Sequence, residues 1–415
     1  MHKSITPWLI WFPAALFYCY QFILRVSPSV MEHELRRDFS IDGGTFGLLA
    51  SFYYIGYCAL QIPVGLLCDY FGPRKLLTFA ALLCAVSTVF FAISTDFYVA
   101  GFWRLLIGVG SSCAFLGCMK LGTLWFPMNR LPLITSATMI LGTLGANFGG
   151  APLRILINSY SWRESLLIVA GFGIIIGITI WFVSRDRRSK DNQEQTSVFS
   201  GLKLAFTTPQ VLLGSLYGFL CYTPLSIFAD LWGAGFLQQI YQIPRAEAAF
   251  YVNVIYIGLG IGGLFYAWIV SNFITIKTSL RFTTIAVGIP FTLLLLIPDM
   301  PLSVMGILLF IVGILIAGES LVFTFVCSHM PVHFSGVTIG LTNMFSMLSG
   351  VILQPVIGQI LDSLSSGEVI EGVKMFAPGD YRIALFTIPL CIIGAFFISL
   401  FFKEPKVALS TSIQR

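Results

Sequence analysis

The sequence predicts an all-α membrane protein of twelve transmembrane helices, built as two pseudo-symmetric six-helix halves with both termini cytoplasmic. Three observations carry this expectation. Of 415 residues, 57% are hydrophobic and only 10% charged, against about a quarter charged in a soluble globular domain. Apolar runs of roughly 20 residues, each long enough to cross ~30 Å of hydrocarbon as a helix, follow one another from end to end. Similar stretches also recur about 202 residues apart, the mark of a duplicated unit. Little remains once the runs are removed, so a soluble enzyme is excluded.

Taken in order, the spans fall at about 7–31, 44–68, 76–94, 97–126, 131–157 and 165–184 in the first half. The second half follows at about 208–237, 246–271, 279–298, 302–327, 334–361 and 381–402. Hydropathy and helix breakers set each boundary. With the termini inside, fourteen lysines and arginines lie in inner loops and tails and six in outer loops, and this asymmetry orients the chain. The longest polar connection, "RDRRSKDNQEQTS" at 185–197, reads as a solvated linker. The expected division is therefore 1–184, a cytoplasmic linker 185–207, and 208–415. The nine cysteines sit almost wholly in apolar runs and read as small core hydrophobes.

Span two ends in "GLLCDYFGPRK", in which Gly65, Asp69, Gly72, Arg74 and Lys75 match a loop G-x-L-x-D-R-x-G-R-[RK]. Tyr70 and Pro73 depart from it. The second half repeats the place as "AWIVSNFITIK", 267–277, with Ser271 for the aspartate and Lys277 for the lysine. Span five carries "GTLGANFGGAP", including Gly145, Gly149 and Pro152, and span four carries "RLLIG" from Arg104. In these motifs and in the repeat the chain resembles the major facilitator superfamily of secondary transporters, over nearly its whole length. "WFPMNR" and "GLTNMFSMLSG" are most similar to its organic-anion and small-metabolite branches, and the opening "LRVSPSVM" is similar to relatives of lysosomal dipeptide and siderophore carriers. The resemblance implies that spans one, four, seven and ten line a central path and that the halves rock around it.

Charges inside apolar runs are costly in a bilayer and mark aqueous paths or mutual pairing. Arg25, Arg104 with Lys120, Asp230 and Glu319 fall on spans one, four, seven and ten. At 1.5 Å per residue, Arg25, Arg104 and Asp230 lie ~9–12 Å outside their span midpoints, and Lys120 and Glu319 ~7–13 Å inside. The cations belong to the first half and the acids to the second. An outer gate of Arg25 and Arg104 with Asp230, and an inner gate of Lys120 with Glu319, would alternate as the halves rock. A second reading has the same cations hold a carboxylate or phosphate on the cargo. Asp230 and Glu319 are also candidate carriers of a coupling proton. Tyr18 and Gln21 continue the Arg25 stripe on span one. Tyr217, Tyr222 and Trp232 on span seven and Asn343 on span eleven complete the candidate cavity, with packing roles as the alternative.

The sequence therefore points to a multi-pass protein of the bacterial cytoplasmic membrane that moves a small polar solute, an organic anion or zwitterion, by alternating access. Peptide or siderophore carriage and uncoupled uniport stand as alternatives. A membrane sensor or a lipid-modifying enzyme is disfavoured, since no catalytic set is visible. A monomer in the bilayer is expected, with a small-molecule partner, no nucleic acid, no metal and no cofactor beyond a coupling proton.

Overall fold

The structure is a computed structural model describing residues 6–186, 198–365 and 369–404. Among these residues, eleven helices are long and apolar enough to cross a membrane, and a twelfth span is a bent pair. The first part comprises Thr6–Val30, the bent pair Gly43–Leu60 with Pro63–Phe71, Pro73–Ile93, Phe97–Trp125, Met128–Ser159 and Trp162–Val183. The second comprises Pro209–Tyr241, Arg245–Val270, Ile276–Leu296, Leu302–Cys327, Val332–Leu364 and Pro378–Leu400. Of the expected linker, 187–197 lies outside the described residues, and Val198–Thr207 forms a helix. The far-end connection before the last span contains a two-stranded antiparallel hairpin, Val369–Ile370 with Val373–Lys374.

Packing repeats between the two parts. Span one packs on five, two on four and three on six; seven packs on eleven, eight on ten and nine on twelve. Across the seam, span two meets eleven and span five meets eight, so one pseudo-twofold relation generates both contacts.

Breaks concentrate in the spans nearest the seam. Proline removes an N–H and clashes with the preceding turn, and it sits at most of them. Pro63 begins the second limb of span two after a 63° bend. Pro28 lies in a 3₁₀ turn, Ser27–Val30, that ends span one. Pro224 opens a π-helical stretch, Pro224–Trp232, in span seven, the wide geometry that often marks functional sites. Span ten is broken without proline at the 3₁₀ turn Ala317–Ser320, which contains Glu319. Irregular backbone at membrane depth is tolerated where it is covered by protein or lines a cavity.

The two ends of the bundle differ. At the end away from the termini, here the far end, glycines let spans two and eleven touch: a Cβ on Gly47 would overlap the Gln354 carbonyl, and one on Gly358 would overlap Gly43. At the terminal end, Cys113–Trp125 of span four and Leu321–Cys327 of span ten make their substantial contacts within their own parts. The seam is closed at the far end and parted between these helices at the terminal end.

Candidate functional site

Asp230 lies on the π-helical stretch of span seven, 1% exposed, and receives donors from both parts. Arg25 donates to its Oδ2 through Nε at 2.8 Å and Nη2 at 2.6 Å. Tyr54 of span two also donates to Oδ2, and Tyr256 of span eight to Oδ1. The Arg25 Nη2 further donates to the Tyr222 hydroxyl at 2.6 Å. Phe22, Tyr54 and Tyr222 surround the guanidinium at 5.2–5.5 Å from their ring centroids. Two buried charges are costly to desolvate, and such a pair survives only with its remaining hydrogen-bonding capacity met. Here four donors meet the carboxylate.

Arg104 corrects the outer trio expected from the sequence. Its Nη1 donates to the Leu24 carbonyl at 2.6 Å and its Nη2 to the Arg25 carbonyl at 3.1 Å, while its guanidinium lies over Tyr53. The reason is local. In a continuing helix the Leu24 carbonyl would accept from residue 28, but Pro28 has no N–H to give. Arg104 and the Ser27 hydroxyl, at 2.9 Å, fill that place. Arg104 thus braces the break that presents Arg25, and its charge faces carbonyl dipoles rather than Asp230.

The inner pair is also different from the one expected. Lys120 bonds Asp69, the loop-motif aspartate, at 2.7 Å, with the two side chains 37% and 62% exposed. Glu319 accepts from Ser346 at 3.2 Å. Because spans four and ten are parted at this end, Lys120 turns to the acid on its own side of the seam. The rest of the loop motif ties down the helix ends. Gly72 takes φ +81° as the turn residue between spans two and three, a conformation that glycine adopts freely. Asp186 accepts from the Arg74 backbone N–H at 2.9 Å, and the Arg74 side chain bonds the Trp181 carbonyl at 2.8 Å. Lys75 is exposed, and Gly65 has only Leu116 near it.

Two aromatic candidates belong to the core rather than to a cavity. Tyr217 is fully buried and donates to the Leu280 carbonyl at 2.8 Å. Trp232 is fully buried, bonds the Gln354 carbonyl at 3.2 Å and packs edge-on to Phe46 and Phe376. A buried ring with a polar tip is placed where a carbonyl can receive that tip, and both find one. Gln21 accepts from Tyr53 at 2.6 Å and Tyr18 packs on Phe22 and Phe115. Asn343 bridges spans eleven and two through Gln61 at 2.7 Å. Gly145 and Gly149 bring span five onto span one, where added side chains would strike Cys19 and Val26, and Pro152 restarts the helix beyond Gly150.

Sequence reasoning missed Tyr54 and Tyr256, although a signal was present. "YIG" stands at 54–56 and again at 256–258, 202 residues apart, so the duplicated unit supplies one tyrosine from each side of the seam. It also missed the far-end ion pairs. Arg245 bonds Glu32 at 2.7 Å and the Ser29 carbonyl, Arg154 bonds Glu34 at 2.6 Å, and Arg37 bonds Glu371 at 3.1 Å.

A bundle of two related six-span parts, broken along its seam and crossed there by a buried ion pair, is the build of an alternating-access carrier. The chain belongs to the Major Facilitator Superfamily, whose family model matches residues 11–355. It is 24% identical over 182 residues to the "Probable sulfoacetate transporter SauU" of Cupriavidus necator, covering 44% of this chain and 42% of that one. It therefore spans less than half the length of that relative. It is also 24% identical over 381 residues to the "D-galactonate transporter" of Escherichia coli O6:H1, covering 82% of this chain and 86% of that one. Among solved structures, a bacterial homologue of the human lysosomal transporter Spinster, described as inward-facing and occupied, superposes with a TM-score of 0.77 at 15% identity. That match covers 96% of this chain and 97% of the other. These relatives and this neighbour are transporters rather than enzymes.

Proposed function

We propose that the protein is a secondary active transporter of a small organic anion across the bacterial cytoplasmic membrane, working by rocker-switch alternating access with its termini cytoplasmic. The observation that carries this reading is the Asp230 carboxylate held across the seam by Arg25, Tyr54 and Tyr256. It is an internal anion resting in an anion receptor. A planar guanidinium fork suits a cargo carboxylate or sulfonate equally well. Cargo entering from either side competes with Asp230 for Arg25, and while Arg25 holds the cargo the far-end closure loses its central pair. The carboxylate returns to Arg25 when the cargo leaves. Binding energy thus goes into the conformational change, which is the differential affinity that a population shift requires.

The state described here is inward-open in this orientation. Glu319 is the group proposed to carry a coupling proton: it is buried on span ten beside Gly218 of span seven, with Ser346 as a neutral neighbour, and closing of the inner ends would bring Lys120 toward it. A monomer is sufficient, because both sides of the site come from one chain. The relatives named for sulfoacetate and galactonate support an acidic cargo. The test is uptake by proteoliposomes of D-galactonate, sulfoacetate and tartrate, with galactitol as the neutral control, with and without a pH gradient. Saturable uptake of at least one acid and none of galactitol is expected. Equal handling of acids and galactitol overturns the anion reading, and uptake indifferent to the gradient removes proton coupling.

A further inference from the structure

A cavity of about 250 Å3 lies at the far end, beyond the Arg25–Asp230 pair from the terminal opening. Both parts of the chain wall it. Its charged lining is Glu32, Glu34 and Arg36 on the short helix after span one, Arg154 on span five and Arg245 at the start of span eight. Three guanidiniums face two carboxylates, a surplus of one formal positive charge. Glu32 is shared between Arg245 at 2.7 Å and Arg36 at 3.5 Å, and Glu34 holds Arg154 at 2.6 Å. After these pairings the Nε of Arg36, the Nε of Arg154 and Oε2 of Glu34 remain buried without a partner among the described residues. Arg36 is itself 4% exposed. Buried polar groups are normally satisfied, and these three atoms lie packed behind the cavity surface rather than open to it, so what the lining offers the space is its unbalanced positive charge.

That charge and the polar lining define a ligand. Its anionic oxygens meet the guanidinium N–H groups, a hydroxyl donates to Glu34, and a single negative charge balances the lining. Gln238 and Gln239 add neutral amides for further hydroxyls, and the ring of Phe376, 4.4 Å from the Arg36 guanidinium, closes one wall. The volume lies below the ~300–1,000 Å3 typical of drug-sized pockets and suits a small acid. We propose that this far-end vestibule is a binding site for one polyhydroxy monocarboxylate of the aldonate type, occupied before the solute reaches Arg25. The site also bears on the gate. The bound carboxylate competes with Glu32 for Arg245, whose ion pair joins the two parts at the far mouth, so occupancy loosens the closure ahead of the solute. That the ligand is cargo rests on the transport reading; that the vestibule binds it does not.

The test is equilibrium dialysis of full-length protein in nanodiscs against labelled D-gluconate, with D-glucarate and sorbitol as probes of charge. Wild type is expected to bind two equivalents of gluconate and no sorbitol. Arg36→Gln should bind one, and the equivalent it retains shows that the variant is folded. Glu34→Gln raises the surplus to two positive charges and should shift preference toward the dianion glucarate by on the order of tenfold. A merely structural role for Glu34 would leave that preference where it was. No gluconate bound by wild type overturns the vestibule, as does a stoichiometry that survives R36Q with no change of preference in E34Q. Protein that transports no acid yet shows R36Q-sensitive binding overturns the transport reading and leaves the vestibule standing. Acid transport with an R36Q-insensitive stoichiometry does the reverse.

Discussion

Replacing Asp230 by asparagine tests whether the ion pair across the seam holds the far end shut. Asparagine keeps the shape, but only its Oδ1 can still accept, so the change removes the charge and one of the two tyrosine hydrogen bonds. Arg25, 5% exposed, is then a guanidinium with no counter-ion in a nearly dry setting. Removing one partner of a buried pair costs about 3–5 kcal/mol. The cost falls on the closed state, because opening the far end lets water reach Arg25. At 1.4 kcal/mol per factor of ten, the open-to-closed ratio should rise roughly a hundred- to a few thousandfold. Spin labels at Tyr98, in the first turn of span four, and Asp299, on the loop before span ten, both exposed at the far end, would report this by double electron–electron resonance as a shift to longer distance. The double variant R25Q/D230N removes both charges and should close like wild type while losing acid transport. A D230N distribution identical to wild type would refute the reasoning. So would a double variant as open as the single, since the charge would then not be the cause.

Three further outcomes follow from the same geometry. Arg104→Met should lower the melting temperature by taking the guanidinium from the Arg25 carbonyl and leaving the Leu24 carbonyl only the Ser27 hydroxyl, a buried group left unpaired costing about 1–3 kcal/mol. Pro28→Ala, which gives the Leu24 carbonyl its own N–H, should recover part of the loss in a thermal double-mutant cycle, whereas strict additivity would argue against the brace. Gly47→Leu puts a side chain where the Gln354 backbone lies and should hold the far end open, seen as strong far-side labelling of a cysteine on span eleven with uptake abolished; wild-type uptake would show the contact to be dispensable. Glu319→Gln should leave solute exchange intact while making net uptake indifferent to a pH gradient, and a retained gradient response would assign proton coupling elsewhere.

Much of the fold was legible because the bilayer allows few solutions. A run of about 20 apolar residues must be helical to satisfy its backbone, so span positions follow from composition to within a few residues. Arg25 and Asp230 stood out for the same reason: each charge sits in a run where charge is expensive. Partner choice was less legible. Depth along a helix axis can be counted from the sequence, but the rotation of the helix and the separation of its ends cannot. Arg104 shares the level of Asp230 in that count, yet it turns toward the carbonyls that Pro28 leaves bare. Tyr217 and Trp232 have cavity-like chemistry, yet their tips find carbonyls in the core.

The sequence by itself therefore determined the solvent, the number of spans, the duplication and which residues carry charge into the membrane. All of these depend on the chain's own composition and spacing. Only the tertiary structure decided that Tyr54 and Tyr256 close on Asp230, that Lys120 pairs with Asp69 while the inner ends are apart, and that five charges from both parts of the chain enclose a vestibule at the far mouth. Those contacts join residues up to 213 positions apart, as between Glu32 and Arg245. They depend on how two six-span units lean against each other, a relation that no local pattern encodes.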